Sequence, residues 1–407
     1  MSELYNEVRR LAEENKEVFL ECFKNLHRHP ETATEEFGTS AFVRSILTDL
    51  GIQVLDLGFE TGVVGLLKGG QDGPCIALRA DIDALPVEEQ STCPFPSETP
   101  GKMHACGHDT HITSLLGAAV ILSRMRDRIR GSVKFIFQPA EEPNIGGKMY
   151  VAGGVLENPD VSACFSFHNS PEIPTGSVAV LPGPIMAGMN NIDIDVVGKG
   201  GHGGLPQKST DPVVAAAAII QSLQTVVSRN VAPSDAAVVS ICSVHTDNGM
   251  ITNVIPDAVH MRGTIRFYND ADKVLLNRRI REIVTNVGAA YGCEAEYRSY
   301  ADLPVTTNAA LPGCHGLYDL ALRTVREIGA EPVLAPPSGG GDDFCYYAQG
   351  YEGRHGVPSF FYWLGVRNEK KDCVYSWHSP HYQADTDALP IGAALLAMSA
   401  LNASDLF

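Results

Sequence analysis

The sequence has few basic residues. Its 31 lysines and arginines stand against 48 aspartates and glutamates, and the formal net charge is −17 at pH 7 over 407 residues. Nucleic acids and anionic membranes attract basic surfaces, so this balance argues against either as a partner. Internal repeats and low-complexity segments are also missing. The composition therefore favours a soluble protein without a nucleic acid or membrane partner.

Long apolar runs and a spaced cysteine framework are missing as well. Residues 1–7 carry charge and have no apolar signal core, and the apolar stretch 213–220 is too short to cross a bilayer. The ten cysteines are scattered along the chain, and in a reducing compartment most of them should be free thiols that pack as small hydrophobic groups. We therefore expect a cytoplasmic protein.

The length of the chain exceeds what one hydrophobic core usually serves, so we expect two domains. Up to about residue 180, helical and strand patterns alternate, which is typical of an α/β domain with a buried sheet. These patterns predict a helix at 4–27, strands at 63–67 and 76–80, a helix at 109–126, and strands near 133 and 164.

A second pattern follows residues 181–184, whose Leu-Pro-Gly-Pro sequence predicts a linker. The next block predicts an α+β sandwich with one sheet covered on one face. Its elements are a strand at 191–197, a glycine-rich turn at 198–204, a helix at 211–229, strands at 237–244 and 258–267, and a helix at 272–291. We therefore predict a catalytic α/β domain from residues 1–182 and 299–407, with an inserted domain at 183–298.

Cys106 and His108 are the first candidate metal ligands. A thiolate and a neutral imidazole two residues apart on a loop can face one point, and both are good ligands for a divalent transition metal such as zinc. Taken alone, the pair is equally consistent with a buried structural cysteine beside a histidine. The rest of the chain has to decide between the two interpretations.

Two adjacent carboxylates, Glu141 and Glu142, come shortly after the apolar run 135–137. At the end of a strand, one acid can bind a metal while its neighbour takes a proton from water, although an isolated pair is more often simply solvated. His168 and His378 each end an aromatic stretch, and Asp81 ends the strand predicted at 76–80. Together these residues indicate a hydrolase with a metal centre.

Three motifs occur in order: Arg-Ala-Asp-Ile-Asp-Ala-Leu-Pro at 79–86, Cys-Gly-His-Asp at 106–109 and Gly-Gly-His-Gly at 200–203. With them the chain resembles the M20 family of metallopeptidases and amidohydrolases, in the branch of N-acyl amino acid amidohydrolases, hippurate hydrolases and auxin-conjugate hydrolases. The matching segments run from 25 to 392. The resemblance implies a zinc-peptidase-like catalytic domain, an inserted lid and dimerisation domain, and a homodimer or a higher homo-oligomer.

The resemblance also implies the ligand set and the reaction, which is hydrolysis of the amide bond of a small N-acyl amino acid. Two divalent ions per chain, zinc or else manganese, cobalt or nickel, would be held by Cys106, His108, Glu142, His168 and His378. Glu141 would serve as the general base and then as the general acid. Asp81 would orient a ligand.

Three residues of the predicted inserted domain are expected to act on the substrate. His202 would stabilise the oxyanion, unless it is a turn histidine that bonds the local backbone. Asn253 resembles the family position that contacts the substrate carboxylate, and Arg266 is a second candidate because guanidinium matches carboxylate geometry. Both could instead be strand-edge residues that satisfy local backbone groups.

Other functions stay open at this stage. Cys106 could be a nucleophile with a histidine base, although His108 lies too close in sequence to pair with it easily. A dipeptidase or aminopeptidase of the same family, and a binding homologue without catalysis, are further alternatives. The chain also departs from the branch at Pro143, Gln207 and Asp342, where we expect changes at the pocket edge and in the contacts between the domains.

Overall fold

The computed structural model describes residues 3–308 and 316–407, and the chain divides into two compact units. The first comprises Met1–Ile185, Thr307–Pro336 and Asp342–Phe407, and the second comprises Met186–Thr306 and Pro337–Gly341. The second unit therefore starts and ends slightly later than the predicted insertion. It also includes the glycine run, because the amide of Ala187 donates to the carbonyls of Ser338 and Gly340.

The helices in the described residues agree closely with the patterns, except at the N-terminus. They are α1 (Glu3–Glu14), α2 (Lys16–Arg28), α3 (Phe37–Asp49), α4 (His108–Arg124), α5 (Gly146–Ala152), α6 (Pro212–Asn230), α7 (Asp270–Ala290), α8 (Leu317–Glu327), α9 (Cys345–Gln349) and α10 (Leu389–Ala403). The helix predicted at 4–27 is two helices. Asn15 separates them, and its side-chain amide donates to the carbonyl of Leu11 (2.7 Å), a local bond of the kind that competes with helix continuation.

The strands in the same residues are β1 (Gln53–Leu55), β2 (Val63–Lys68), β3 (Gln71–Asp81), β4 (Arg130–Gln138), β5 (Val161–Pro174), β6 (Ser177–Ala179), β7 (Gly183–Met186), β8 (Gly188–Val197), β9 (Gly201–His202), β10 (Ala237–Thr246), β11 (Val254–Ile255), β12 (Ala258–Phe267), β13 (Glu294–Arg298), β14 (Asp302–Leu303), β15 (Thr306–Asn308), β16 (Glu331–Val333), β17 (Gly350–Tyr351), β18 (Arg354–His355) and β19 (Ser359–Arg367). The predicted linker at 181–184 overlaps β7, which pairs with β15. A composition signal for a turn does not reveal such a distant pairing.

The first unit is built on an eight-stranded sheet in the order β1-β2-β4-β3-β5-β19-β6-β16. Its centre is parallel, since β3 pairs in parallel with both β4 and β5, and β5 does so with β19. Helices α4 and α10 pack together against this sheet, and nearly every residue of both is buried. The expected α/β class is confirmed, and the carboxyl ends of the parallel strands provide one edge where side chains can converge.

The second unit contains a sheet in the order β10-β12-β8-β13, with β14 also paired to β8. Alternate residues of β8 and β12, such as Ile194 and Met261, are buried against α6 and α7. The residues between them, such as Asp195 and His260, point away from these helices and bond to each other. One sheet covered on one face is therefore observed, and period-two alternation explains it.

One segment among the described residues, Thr386–Ala403, is long and apolar enough to cross a membrane. However, 78% of this window is buried inside the protein. A helix that is apolar on all sides is also typical of the core of a large soluble domain, so α10 is best interpreted as a core helix.

Candidate metal centre

The candidate residues of the first unit converge because their strands end at one edge. Asp81 is the last residue of β3, and it lies opposite Gln138, the last residue of β4. Glu141 and Glu142 follow β4 after Pro139 and Ala140, and His168 lies in β5, the other parallel neighbour of β3. Parallel pairing therefore brings together residues that are far apart in the sequence.

The loop before α4 adds Cys106 and His108, and Gly107 makes its geometry possible. Gly107 has φ +80°, a conformation that L side chains rarely adopt, and a Cβ there would lie 2.4 Å from side-chain atoms of Asn169 and Tyr382. Only glycine fits both constraints. The tight turn lets Cys106 and His108, the first residue of α4, face the same cluster.

The five predicted ligands lie together. Cys106 Sγ is 3.4 Å from His168 Nε2, His108 Nε2 is 4.0 Å from Glu142 Oε1, and His378 Nε2 is 3.6 Å from Glu142 Oε2. Three subsets have donor atoms that all lie within 4.8 Å of one another: Cys106, His108 and His168; Cys106, Glu142 and His378; and His108, Glu141 and Glu142.

These donors fit divalent metal ions. His108 Nε2 and Glu142 Oε1 are buried and make no hydrogen bond among the described residues, although each buried polar group left unsatisfied costs about 1–3 kcal/mol. Burial raises the pKa of the Cys106 thiol well above its usual range, and the Glu142 carboxylate raises it further. A metal that takes these atoms as ligands would satisfy them and stabilise the thiolate. Thiolate, imidazole and carboxylate are together a ligand set suited to zinc and its neighbours.

Two of the histidines are oriented through their other ring nitrogen. His108 Nδ1 donates to the carbonyl of Asp83 (2.8 Å), and His168 Nδ1 donates to the carbonyl of Asn169 (2.8 Å). Each bond fixes the tautomer that leaves Nε2 as the free acceptor. Backbone carbonyls therefore prepare both Nε2 atoms to bind a metal.

Asp81 lies next to the ligands and bonds a further histidine. Its Oδ1 accepts from His111 Nδ1 at 2.5 Å and lies 3.9 Å from His108 Nδ1, so its hydrogen-bonded partner is not one of the five predicted ligands. His111 Nε2 in turn accepts from the amide of Asn169 (3.0 Å). Asp81 therefore acts on the cluster through His111 and the strand that carries His168.

Asp83, His111 and Asn169 also support the cluster and were not predicted from the sequence. Both carboxylate oxygens of Asp83 accept backbone amides, from Glu141 (3.1 Å) and Glu142 (3.0 Å). A signal existed for His111, which follows His108 by three residues and so shares its face of α4. Asp83 and Asn169 act through contacts that only the folded chain reveals.

Glu141 is buried beside the ligands. Burial raises the pKa of its carboxyl group well above the usual range, and the nearby Asp342 and Asp343 raise it further. Burial also raises the pKa of Glu142 to about 7, although His108 opposes this effect. Cations bound by the ligands would favour the carboxylate form of Glu141, and a carboxyl group in that setting can take up and release a proton.

Asp342, one of the three departures, belongs to a buried ion-pair network. The Arg79 guanidinium contacts Asp81 (2.8 Å), Asp342 (3.2 Å) and Asp343 (2.8 Å). Asp343 also accepts from the amide of Gly147 (2.7 Å). The network ties β3 to the segment before α9, on the side of the cluster where Glu141 lies.

The other two departures lie in turns. Pro143 is in the turn after Glu142, where the amide of Asn144 donates to the carbonyl of Glu141 (2.6 Å). Gln207 lies in a short 3-10 turn, Pro206–Lys208, and is exposed. The pocket lip expected at Pro143 is therefore a closed turn directly beside the ligands.

The predicted substrate-binding residues lie in the second unit. His202 in β9 pairs with Val254 in β11 and is exposed, and its Nδ1 accepts from the amide of Gly204 (2.9 Å). Asn253 is adjacent, since its carbonyl accepts from the amide of Gly203 (2.8 Å). The local backbone bond considered for His202 is therefore present, and its Nε2 is left for another partner.

Arg266 is held by groups of its own unit. Its Nε donates to the carbonyl of Gly339 (3.0 Å), and its Nη1 donates to the carbonyl of Ile265 (3.1 Å) and to the hydroxyl of Thr264. Burial lowers the pKa of its guanidinium. The alternative in which Arg266 satisfies local groups thus describes the contacts that it makes.

The geometry also bears on the thiol mechanism. Cys106 Sγ lies 3.4 Å from His168 Nε2, but burial raises the pKa of the Cys106 thiol and lowers that of His168 well below its usual range. A nucleophilic cysteine needs the reverse shift of the thiol pKa. Without a metal the Cys106 thiol keeps its proton, which disfavours the cysteine hydrolase.

Comparison with known proteins places these residues in a family context. The model of peptidase family M20/M25/M40 matches residues 77–402. N-acetylcysteine deacetylase of Bacillus subtilis is 39% identical over 375 residues, which cover 92% of this chain and 93% of the relative. IAA-amino acid hydrolase ILR1-like 2 of Arabidopsis thaliana is 39% identical over 385 residues, with 93% and 83% covered.

A solved structure is also similar. The Bacillus subtilis YXEP protein, described as a dinuclear metal binding peptidase from the M20 family, superposes with a TM-score of 0.83 at 34% identity. The match covers 97% of this chain and all of that one. The fold is thus shared along nearly the whole chain.

Proposed function

The chain belongs to peptidase family M20/M25/M40, and from this premise we propose that it is a metal-dependent amidohydrolase of N-acyl amino acids. The observation that carries the proposal is the convergence of five metal-ligand side chains beside the buried carboxyl group of Glu141. The two relatives named for N-acetylcysteine and for IAA-amino acids support an N-acyl amino acid as the substrate class. The products would be a carboxylic acid and a free amino acid.

The five ligands would hold two divalent ions, which when bound would lower the pKa of a water molecule and polarise the acyl carbonyl. Glu141 takes a proton from the attacking water as its oxygen adds to the acyl carbon. It then gives this proton to the amine nitrogen as the carbon–nitrogen bond breaks, so one carboxyl group serves both steps. The backbone amides of Glu141 and Glu142 donate to the Asp83 carboxylate, and these bonds hold the turn that carries the Glu141 carboxyl group during both transfers.

The second unit would supply the remaining contacts. His202 has its Nδ1 fixed by Gly204, so its Nε2–H could donate to the oxyanion. The side chain of Asn253, whose backbone is fixed beside Gly203, is the better candidate for the substrate carboxylate, because Arg266 is engaged locally.

The nine cysteines in the described part of the chain are free thiols, which supports a cytoplasmic setting.

The substrate class can be tested with amine release from N-acetyl, N-benzoyl and long-chain N-acyl amino acids and from dipeptides. Protein treated with a chelator should release no amine, and zinc, manganese or cobalt should restore amine release from the N-acyl compounds. Faster cleavage of dipeptides would make the protein a peptidase. Amine release that persists in chelated protein would overturn the metal mechanism. No amine release from metal-loaded protein would favour a binding homologue without catalysis.

We also propose a homodimer through β10, which among the described strands is the end strand of its sheet and pairs with β12 alone. A ten-residue edge strand attracts another strand unless it is covered, and Val238 and Val244 on β10 are 44% and 52% exposed. We expect wild-type protein to sediment at twice the 43.7 kDa chain mass. Val244→Lys should shift it toward the monomer, whereas Val274→Lys, on α7 and 66% exposed, should not. Equal masses for wild type and Val244→Lys would contradict this interface.

A further inference from the structure

A second group of metal-ligand side chains lies around His27, in the last turn of α2. His27 Nε2 is 3.3 Å from Glu89 Oε1, and the donor atoms of His27, Glu89 and Cys93 all lie within 4.8 Å of one another. None of these residues belongs to the cluster of five predicted ligands. The group joins α2 to the loop at 89–97, which has no regular secondary structure.

The His27 ring is fixed on every side. It stacks on Phe23 with ring centroids 5.5 Å apart, and the edge of Phe95 packs against it at 5.8 Å. Only 3% of the side chain is exposed, and Nδ1 bonds Asp109 Oδ2 at 2.7 Å. A carboxylate on one ring nitrogen, with an apolar shell around the ring, is the usual support for a histidine that binds metal through the other nitrogen.

Glu89 is equally well fixed. Its Oε2 accepts from the amide of Ser97 (2.6 Å), and its Oε1 accepts from the hydroxyl of Ser91 (2.5 Å). The Ser91 hydroxyl also accepts from the amide of Cys93 (3.1 Å). These bonds fix the loop that carries both the carboxylate and the thiol beside His27.

A cavity of about 260 Å³ adjoins the group, and His27, Cys93, Asp109 and Cys373 are among its lining residues. It leaves room for a water molecule as a further ligand. Lys371, the one basic side chain in this lining apart from the histidine, already pairs with Asp385 and Asp387, both at 2.6 Å. The two carboxylates beside His27 are therefore not neutralised by that lysine, which favours a bound cation.

We propose that His27, Glu89 and Cys93 bind one further divalent ion of the zinc type, with Asp109 orienting the histidine. Nitrogen, oxygen and sulfur ligands together suit zinc. Burial lowers the pKa of His27, but side-chain bonds to Asp109, Cys93 and Glu89 raise it well above its usual range, so a proton on His27 is the state with which the ion would compete. The ion would pin the loop at 89–97 to α2, and Asp109 directly follows the predicted ligand His108.

Cobalt substitution of the full-length protein tests this site, because a thiolate bound to cobalt gives a near-ultraviolet charge-transfer band. Cys106→Ser should remove only part of the wild-type band, and Cys106→Ser with Cys93→Ser should remove the rest. Zinc per chain should fall by one ion in Cys93→Ser. It should not change in Cys22→Ser, a matched control because Cys22 is also partly buried and lies on α2.

A band and a zinc content that do not change in Cys93→Ser would overturn the proposal. These readouts do not depend on turnover, so they remain valid if the proposed amidohydrolase activity fails. If Cys93→Ser does not fold, the ¹⁵N resonance of His27 Nε2 in wild-type protein decides. Saturating zinc should move it to the metal-bound range, and a resonance that stays protonated would contradict the site.

Discussion

Glu141→Gln is expected to lower kcat about 10²–10⁴-fold, the usual contribution of a general acid–base group, while the metal content stays at the wild-type level. The amide has the shape of the carboxyl group but cannot take a proton from water. The backbone bond from Glu141 to Asp83 does not involve the side chain, so the turn should be kept. Steady-state kinetics and metal analysis on the same sample measure both effects.

Glu142→Gln is the matched control, since Glu142 is the neighbouring acid on the same turn and is a predicted ligand. It should lower both the metal content and kcat, and excess metal should partly restore its activity. The wild-type rate should also decrease as the pH is lowered and Glu141 becomes protonated, because only the carboxylate form can accept a proton from water. Equal loss of metal from both variants would make Glu141 a ligand rather than the base.

Much of the fold was predictable because helices and strands with a clear hydrophobic period need little tertiary information. The predicted helix at 211–229 and strand at 258–267 nearly coincide with α6 and β12. The break between α1 and α2 at Asn15 and the strand β7 were not predictable in this way. One depends on a single side-chain bond that interrupts a periodic pattern, and the other depends on pairing with a strand more than a hundred residues away.

The candidate site divides in a similar way. Cys106, His108 and the two glutamates could be found because their residue types and spacing suit metal chemistry. Asp81 was predicted to orient a ligand, and its hydrogen bonds to His111 and Arg79 could not be read from the sequence. Asp83 was missed because it holds the glutamate turn through bonds to backbone amides, and such bonds depend on which strands become neighbours.

Arg79→Met is expected to be the most destabilising change, with about 3–5 kcal/mol lost from the free energy of unfolding. The Arg79 side chain has no exposed area, and it contacts three carboxylates that are themselves buried. Methionine fills a similar volume but leaves Asp81, Asp342 and Asp343 without their cation. Unfolding by urea, followed by circular dichroism, measures the loss.

Arg298→Met provides the matched control, because Arg298 in the second unit also contacts three carboxylates, on Asp193, Asp195 and Glu296. Its side chain is 43% exposed, so water can solvate the remaining acids and the loss should be much smaller. An equal loss in the two variants would show that burial does not set the strength of the Arg79 network.

The cost of Arg79→Met should also depend on pH. Burial raises the pKa of Asp343 to about 7. Arg79 lowers this pKa and the neighbouring Asp342 raises it, so Arg79 limits the size of the shift. Removing Arg79 moves the folded-state pKa higher still, so the folded protein binds protons more tightly than the unfolded chain. Stability linked to such a group is present below the unfolded pKa and is lost as the pH rises through the folded one. The wild type carries the same Asp343 proton below about pH 7, so the extra loss in Arg79→Met should appear as the pH rises through about 7 and grow above it. A loss that does not change with pH in that range would mean that the three carboxylates find other partners.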